Sequence, residues 1–335
     1  FIQKDYPFDV REKLVKTEEG FSKDFWKTFS QFGLLAMPFS EEDGGFNGGP
    51  VDIMIILEAF GTGLIVEPYI PNIVLSGNLV SKLGSKDQKD SILPNLLNGD
   101  MQLAFAFSEP QSRFDLNDVT TAAEIDGDGY KLNGYKCVVM NGPAADKLIV
   151  SARTAGSQLD ENGISLFIVD RETQGVSLRD YSNVDGSKAS ELTLEDVVLT
   201  KDALLGKQDK AFSTIEEVVN LATLAISAEA IGIIQKMNEL TLDYTKTREQ
   251  FGQALSKFQA LQHRMVDTFM VHEQTKSLLL MAAAKMNDKA ADTSKSISAL
   301  KYQIGSAAKL IGEESIQLHG GMGVTEEMSI GHYFK

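Results

Sequence analysis

Few side chains in this sequence have the type and spacing to do chemistry unaided. The four histidines, His263, His272, His319 and His332, are scattered, and Cys137 is the only cysteine. One thiol makes no internal disulfide, and no Cys/His spacing suits a metal. A reducing compartment, with the cytoplasm as default, is expected. No HExxH, GxSxG, GxGxxG or GxxxxGK pattern occurs, which leaves out the common metalloprotease, hydrolase-elbow, dinucleotide and P-loop signatures. The adjacent pair Gly320-Gly321 closes a helical run, where two residues without Cβ let another molecule approach the main chain. Carboxylates at Glu216, Glu217 and Glu229 lie on the first long C-terminal helical pattern. Glu216 and Glu217 suit a helix start, and Glu229 reads first as a bundle carboxylate paired with a neighbouring helix. The formal net charge is -15, which argues against nucleic acid as a partner. A small phosphorylated cofactor still fits, since one basic residue or a helix N-terminus can hold phosphate.

The elements that must position such groups fall into three stretches of the 335 residues. All eight prolines lie in the first 143 residues, so the remainder reads as uninterrupted regular structure. Residues 1–100 read as short helices: 21–32 with Gly33 as its stop, 51–60 after Pro50, and 85–97 from a capping serine. The segment 42–49 reads as a loop. Residues 101–207 read as an antiparallel β-domain. Asp126-Gly127-Asp128-Gly129 and Asn133-Gly134 are its turns, and 148–150, 164–169 and 192–199 are strand-like. Residues 208–335 read as a helical bundle with stripes Ile215/Val218/Val219/Ala222/Ile226, Leu261/Met265/Phe269/His272 and Ile297/Leu300/Ile304/Ala308/Ile311. No apolar run of about 18 residues is evident, so no membrane span is expected. The sequence opens at Phe1 and both ends lie in structured pattern, so further residues are expected beyond each end.

Three segments resemble the acyl-CoA dehydrogenase family. They are 103–110, LAFAFSEP, followed by 133–142, NGYKCVVMNG; 248–253, REQFGQ, leading into 258–264, FQALQHR; and 317–323, QLHGGMG. Together with the domain order, the resemblance spans the whole chain. It implies an α+β fold with an N-terminal helical domain, a central antiparallel β-domain and a C-terminal helical bundle. It also implies FAD and the oxidation of an acyl-CoA thioester to a trans-2-enoyl-CoA. Phe105, Phe107 and Ser108 match the strand along the flavin. Val138 and Met140 stand where many members have a tryptophan and a threonine. Arg248, Gln250 and Phe251 match a segment that reaches the FAD of a neighbouring subunit, and Gln317, Gly320 and Gly321 match its contact with the adenine half. Implied partners are an acyl-CoA substrate and electron-transfer flavoprotein or a similar acceptor.

Departures from the family pattern refine the resemblance. After Glu109-Pro110 many members have a small-residue loop beside CoA, where this chain has Gln111-Ser112-Arg113-Phe114-Asp115. Arg113 and Phe114 thus become candidate substrate residues. The chain looks most like the small subunit of bacterial two-subunit enzymes of the pimeloyl-CoA dehydrogenase type. A homodimer, a homotetramer and an α2β2 assembly with a homologous subunit all suit this. One of the family's two base positions falls on Ala222, and the other falls beyond Lys335. Glu229, seven residues after Ala222, lies about 10 Å further along a helix axis. Three readings stay open: a working dehydrogenase, a non-catalytic subunit that completes a partner's FAD site, and an oxygen-using flavin enzyme of the same fold.

Overall fold

Capping chemistry sets the ends of the early helices. The Ser22 hydroxyl accepts the Phe25 N–H at 3.2 Å, and Gly33, at φ +76°, turns the chain out after residue 32. Ser85 and Gln88 form a reciprocal box, with Ser85 Oγ accepting Gln88 N–H at 3.2 Å and Gln88 Oε1 accepting Ser85 N–H at 2.9 Å. The computed structural model describes residues 1–335, the side chain of Gln3 excepted. Its early helices are α1 (Ile2–Asp5), α2 (Phe8–Leu14), α3 (Lys23–Gln31), α4 (Pro50–Gly63), α5 (Asn78–Leu83) and α6 (Lys86–Leu97). The long ones are α7 (Phe212–Thr247), α8 (Gln259–Asn287) and α9 (Thr293–His319), followed by α10 (Ser329–Phe334). In α3, Trp26 and Phe29 are buried, whereas Phe32, at the C-cap, is exposed.

Two compact units emerge. The first combines Phe1–Lys13, Gly49–Ile65 and Thr223–Lys335; the second combines Leu14–Gly48 and Val66–Ala222. The second unit contains β1 (Leu103–Ala106), β2 (Ala122–Asp126), β3 (Gly129–Met140), β4 (Lys147–Arg153), β5 (Ile164–Asp170), β6 (Val176–Ser182), β7 (Lys188–Leu199) and β8 (Leu204–Leu205). They form one mostly antiparallel sheet in the order β6-β7-β3-β2-β4-β5-β8, with β1 added in parallel to β4. Leu132, Leu148, Val150, Phe167, Val169 and Leu192 make its dry core.

A π-helical segment, Ile70–Gly77, supplies Asn72 to the start of β1. Asn72 Oδ1 accepts the Leu103 N–H at 2.8 Å, and its Nδ2 donates to Gln102 Oε1 at 2.8 Å. Asn141 Nδ2 donates to Leu103 O at 3.0 Å and to the same Gln102 oxygen at 3.2 Å. Asn72 is fully buried, so these bonds, unable to exchange with water, fix the entrance to the strand.

Asn133-Gly134 is not a turn. It lies inside β3, where the register against β7 slips between Leu132 and Gly134. Gly134 is needed because a Cβ there would overlap Thr121, while Asn133 bonds across to Asp196 N–H at 2.8 Å. The extra residue of this β-bulge lies on β7, where Asp196 has φ +47°, and the dipeptide faces it from β3.

In the first unit, α4 and α7 meet main chain to main chain. A Cβ on Gly61 would overlap the carbonyl of Glu229, and one on Gly232 the carbonyl of Glu58. The α8 stripe differs from expectation: Thr268, His272, Thr275, Leu279 and Ala282 are buried, while Phe269 is exposed. Helix α7 is also long and apolar enough, by length and composition, to cross a membrane, and half of its apolar stretch is buried. This corrects the expectation that no stretch is apolar enough to span a membrane. The physical reason is packing, since Leu224, Ala225, Ala228, Ile231 and Ile234 are core residues with no exposed surface.

Glycine substitutions give a paired prediction, read by thermal and urea unfolding. Gly232→Ala should lose more than about 2 kcal/mol through backbone collision. Gly305→Ala, on α9 with open space around its Cβ position, should gain about 0.5–1 kcal/mol.

Candidate functional site

One cleft of about 520 Å³ in the first unit gathers Tyr244, Arg248, Gln250, Arg264, Gln317, His319, Gly320 and Gly321. Five of these are the residues singled out in the sequence at 248, 250, 317, 320 and 321. They come from three places: the end of α7, the hairpin after it, and the end of α9. Gly320 has φ +61°, and the Cβ positions of both glycines point into open space, so bare main chain faces the cleft. Of the two arginines, Arg264 is paired with Glu314 at 2.5 Å. The exposed Arg248 guanidinium has no ion pair or hydrogen bond among the described residues. His319 stacks on Tyr244 with centroids 4.4 Å apart, and its Nδ1 lies 2.8 Å from Ser315 O. Burial pushes this imidazole below its usual range, so it is neutral at pH 7, with the proton assigned to Nδ1 facing the carbonyl. The cleft therefore offers one free cation, a neutral aromatic pair and exposed backbone, a donor set suited to a phosphate joined to a flat ring.

Phe251 does not line this cleft. The chain after α7 forms a hairpin, β9 (Glu249–Gln250) with β10 (Gln253–Ala254), whose two-residue turn has φ +55° at Phe251 and +81° at Gly252. Positive φ at both central residues is the type I′ condition. It leaves the Phe251 ring 92 % exposed at the tip. Arg113 and Phe114 stand on an exposed turn of the second unit; Phe114 is 97 % exposed and Arg113 has φ +49°. Ala222 is buried on α7. Glu229 is half-buried, and its main chain is packed against Gly61. Glu217 is tied to Lys82 at 2.8 Å.

The strand residues gather in the second unit. Phe105 is buried at the end of β1 and stacks on Phe107, with centroids 4.9 Å apart. Phe107 and Ser108 are half-buried just past β1. Ser108 O accepts the Cys137 N–H at 2.9 Å, which ties the exit of β1 to β3. There β3 bulges: Lys136 faces Leu192 and Val139 faces Ser190, three steps against two. The extra residue is Val138, held at φ +52° and 49 % exposed. A β-branched residue rarely adopts this conformation, at a strain of about 1–3 kcal/mol.

What holds the bulge was not read from the sequence. Lys136 and Glu109 have fully buried side chains and pair at 2.7 Å, and Lys136 Nζ also donates to Ser151 Oγ at 3.0 Å. Glu109 further accepts from Gln111 Nε2 at 2.8 Å, Thr120 N–H at 2.9 Å, Thr121 N–H at 3.1 Å and the Thr120 hydroxyl. Burial alone would raise the Glu109 carboxyl, but the Lys136 charge and these donors hold it near 2. Burial pulls Lys136 down to about 8 against the attraction of Glu109, so both groups are charged at pH 7. A sequence signal existed: Lys136 continues the inward parity of Tyr130 and Leu132, a place for an apolar residue unless the charge has a partner.

The depressed Glu109 carboxyl contributes stability that is complete above the ordinary carboxylate range and fades as pH falls from about 4.5 toward about 2. Lys136 stays protonated throughout, so this slope belongs to the carboxylate. Urea unfolding across that window should show wild type losing about 3 kcal/mol more than the neutral pair Glu109→Gln/Lys136→Met. Parallel pH curves for the two proteins would contradict the charged pair.

Comparison with known proteins gives three family-model matches along the chain. They are the acyl-CoA dehydrogenase N-terminal domain over residues 1–100, the middle domain over 104–197 and the C-terminal domain over 210–335. The chain is 31% identical over 332 residues to a 3-(aryl)acrylate reductase of Clostridium sporogenes, covering 97% of this chain and 87% of that one. It is 28% identical over 341 residues to the caffeyl-CoA reductase-Etf complex subunit CarC of Acetobacterium woodii, covering 100% of this chain and 89% of that one. Among solved structures, butyryl-CoA dehydrogenase from Megasphaera elsdenii superposes with TM-score 0.90 at 26% identity, covering 99% of this chain and 88% of that chain. A helical start, a mostly antiparallel middle and a helical bundle therefore make this chain an oxidoreductase of the acyl-CoA dehydrogenase family.

Proposed function

We propose that this protein holds FAD and uses it to dehydrogenate an acyl-CoA thioester at its α,β carbons, giving the trans-2-enoyl-CoA. The observation that carries the cofactor reading is the cleft of Arg248, Gln250, Gln317, Gly320 and Gly321, with its unpaired guanidinium and bare main chain. These groups fit the phosphate and adenine half of the FAD held by a neighbouring subunit. Phe107, Ser108, Val138 and Met140 fit the flavin half of the chain's own FAD, with the Phe105 ring as backing. When bound, FAD would supply the hydride acceptor. The chain's own part is to hold phosphate charge at Arg248, to exclude water with Phe107 and Val138, and to offer Ser108 as a hydrogen-bonding group. Arg113 and Phe114 are proposed to meet the substrate from their exposed turn.

An oligomer is part of this reading. Val266, Phe269, Met270, Leu280 and Met281 on α8 and Tyr302 and Leu310 on α9 are exposed apolar residues, more than a lone bundle surface needs. A second copy, or a homologous subunit in an α2β2 assembly, would cover them and receive the Phe251 hairpin. Electron-transfer flavoprotein or a similar acceptor is the proposed redox partner, in keeping with the name of the Acetobacterium relative. We place the chain with the small subunits of two-subunit dehydrogenases, assign functional bodies to 1–100, 101–207 and 208–335, and propose a cytoplasmic location.

A specific observation favours dependence on a partner. Removing an α-proton needs a positioned carboxylate. Ala222 is apolar, and Glu229 sits about 10 Å away along the helix axis. The proposed base therefore comes from outside these residues, with a homologous subunit as its source.

Two measurements test this. Arg248→Ala should weaken FAD retention by about 1.5–3 kcal/mol without loss of fold. Equal flavin occupancy after long dialysis would remove Arg248 from the site. These 335 residues alone, assayed with a panel of acyl- and enoyl-CoA esters and artificial electron donors and acceptors, should turn over negligibly and gain activity on coexpression with a homologous subunit. Robust turnover alone that vanishes in Glu229→Gln would place the base on α7 instead.

A further inference from the structure

We infer that the buried Glu109–Lys136 pair is a positioning device for the cofactor: it locks the exit of β1 onto the bulge of β3, so that Ser108 and Val138 are set in place before the flavin arrives. The inference rests on the FAD reading above and deepens it. Three observations meet here. The pair has no solvent access, and the geometry satisfies its charges on both sides. Its members lie within two residues of the groups that face the proposed flavin: Glu109 follows Ser108, and Lys136 lies two residues before Val138. The main chain is held where it would not rest unaided, with a valine in the left-handed region and Cys137 N–H donating to Ser108 O.

An ordinary bulge carries glycine or asparagine at such a position. Valine survives there only if the flanking residues are over-determined, and the pair supplies that determination. A fixed ion pair orders both segments at once, so the ordering precedes binding and is not charged against affinity. Neither residue touches the proposed cofactor, so neither is catalytic.

The experiment measures FAD dissociation constants, flavin visible spectra and flavin fluorescence for wild type and three variants, with circular dichroism to verify the fold. Glu109→Gln/Lys136→Met removes both charges and leaves no lone buried ion. Thr120→Val and Ser151→Ala each remove one hydroxyl partner, from the carboxylate and the ammonium respectively. Affinity for FAD should fall about tenfold in the double variant and about two- to threefold in the single ones. The flavin absorption band and fluorescence yield should shift in the same order, a change that loss of global stability does not produce in folded protein. If the double variant does not fold, the two single variants carry the test. Folded variants that bind FAD with wild-type affinity and spectrum would overturn the inference. Wild-type protein that never takes up FAD, alone or with a coexpressed subunit, would instead overturn the cofactor reading on which it rests.

Discussion

Two opposite charges, on Glu109 and Lys136, lie out of water 2.7 Å apart, and the architecture of the β unit is arranged around keeping them satisfied. Removing an ion from water is expensive, and attraction between the two repays it only with good geometry and full hydrogen bonding. Two consecutive main-chain N–H groups, at Thr120 and Thr121, point at the carboxylate, so the chain entering β2 must pass close to the exit of β1. Ser151 on β4 accepts from the ammonium of Lys136 on β3, so four strands converge on the same point. A hydrophobic pair of similar volume would hold these segments together with less directional preference. The charged pair specifies one arrangement.

The helical unit depends on a different constraint. Where α4 and α7 cross, two glycines remove the side chains that normally separate helices, and the axes approach until backbone meets backbone. Away from this contact, α7 runs on to Arg248 and α9 to Gly320, so the two ends that meet in the cleft belong to rigid elements. Lys276 on α8 reaches Glu58 on α4 at 2.6 Å, and Tyr333 on α10 donates to Thr62 O at 2.6 Å, which brace the same crossing.

Helices were legible where local chemistry decides them. Ser85 with Gln88, Pro50 and Gly33 mark ends through bonds within a few residues, and the long apolar stripes need only the 3.6-residue period. The strand runs were legible for the same reason. Asn133-Gly134 misled because a dipeptide that favours a tight turn can also face a bulge in the next strand, and the deciding neighbour, Thr121, lies thirteen residues before Gly134. The hairpin at 249–254 was missed because its turn has phenylalanine where asparagine or aspartate usually gives the signal. On α8, Phe269 was assigned to the core because apolar character predicts burial only when some other element covers that side. The cleft residues were named through family resemblance rather than by any pattern of their own. The Glu109–Lys136 pair was overlooked because its members are 27 residues apart, and each looks ordinary alone.

The amides at the entrance to β1 bear on how long such a molecule lasts. Asn141 is followed by Gly142, the dipeptide whose side-chain amide is most readily lost as the next main-chain nitrogen attacks it, and asparagine is among the residues that age fastest with heat. Conversion to aspartate would replace the Nδ2 donor with an oxygen facing Gln102 Oε1 and Leu103 O, setting acceptor against acceptor at a buried point. The same bonds restrain that chemistry. Asn141 is buried and held by both partners, and Gly142 is pressed against Ser190, so the nitrogen has little freedom to swing onto the side chain. Chemical ageing at this position is thus gated by local opening, and the entrance to the strand keeps its own clock.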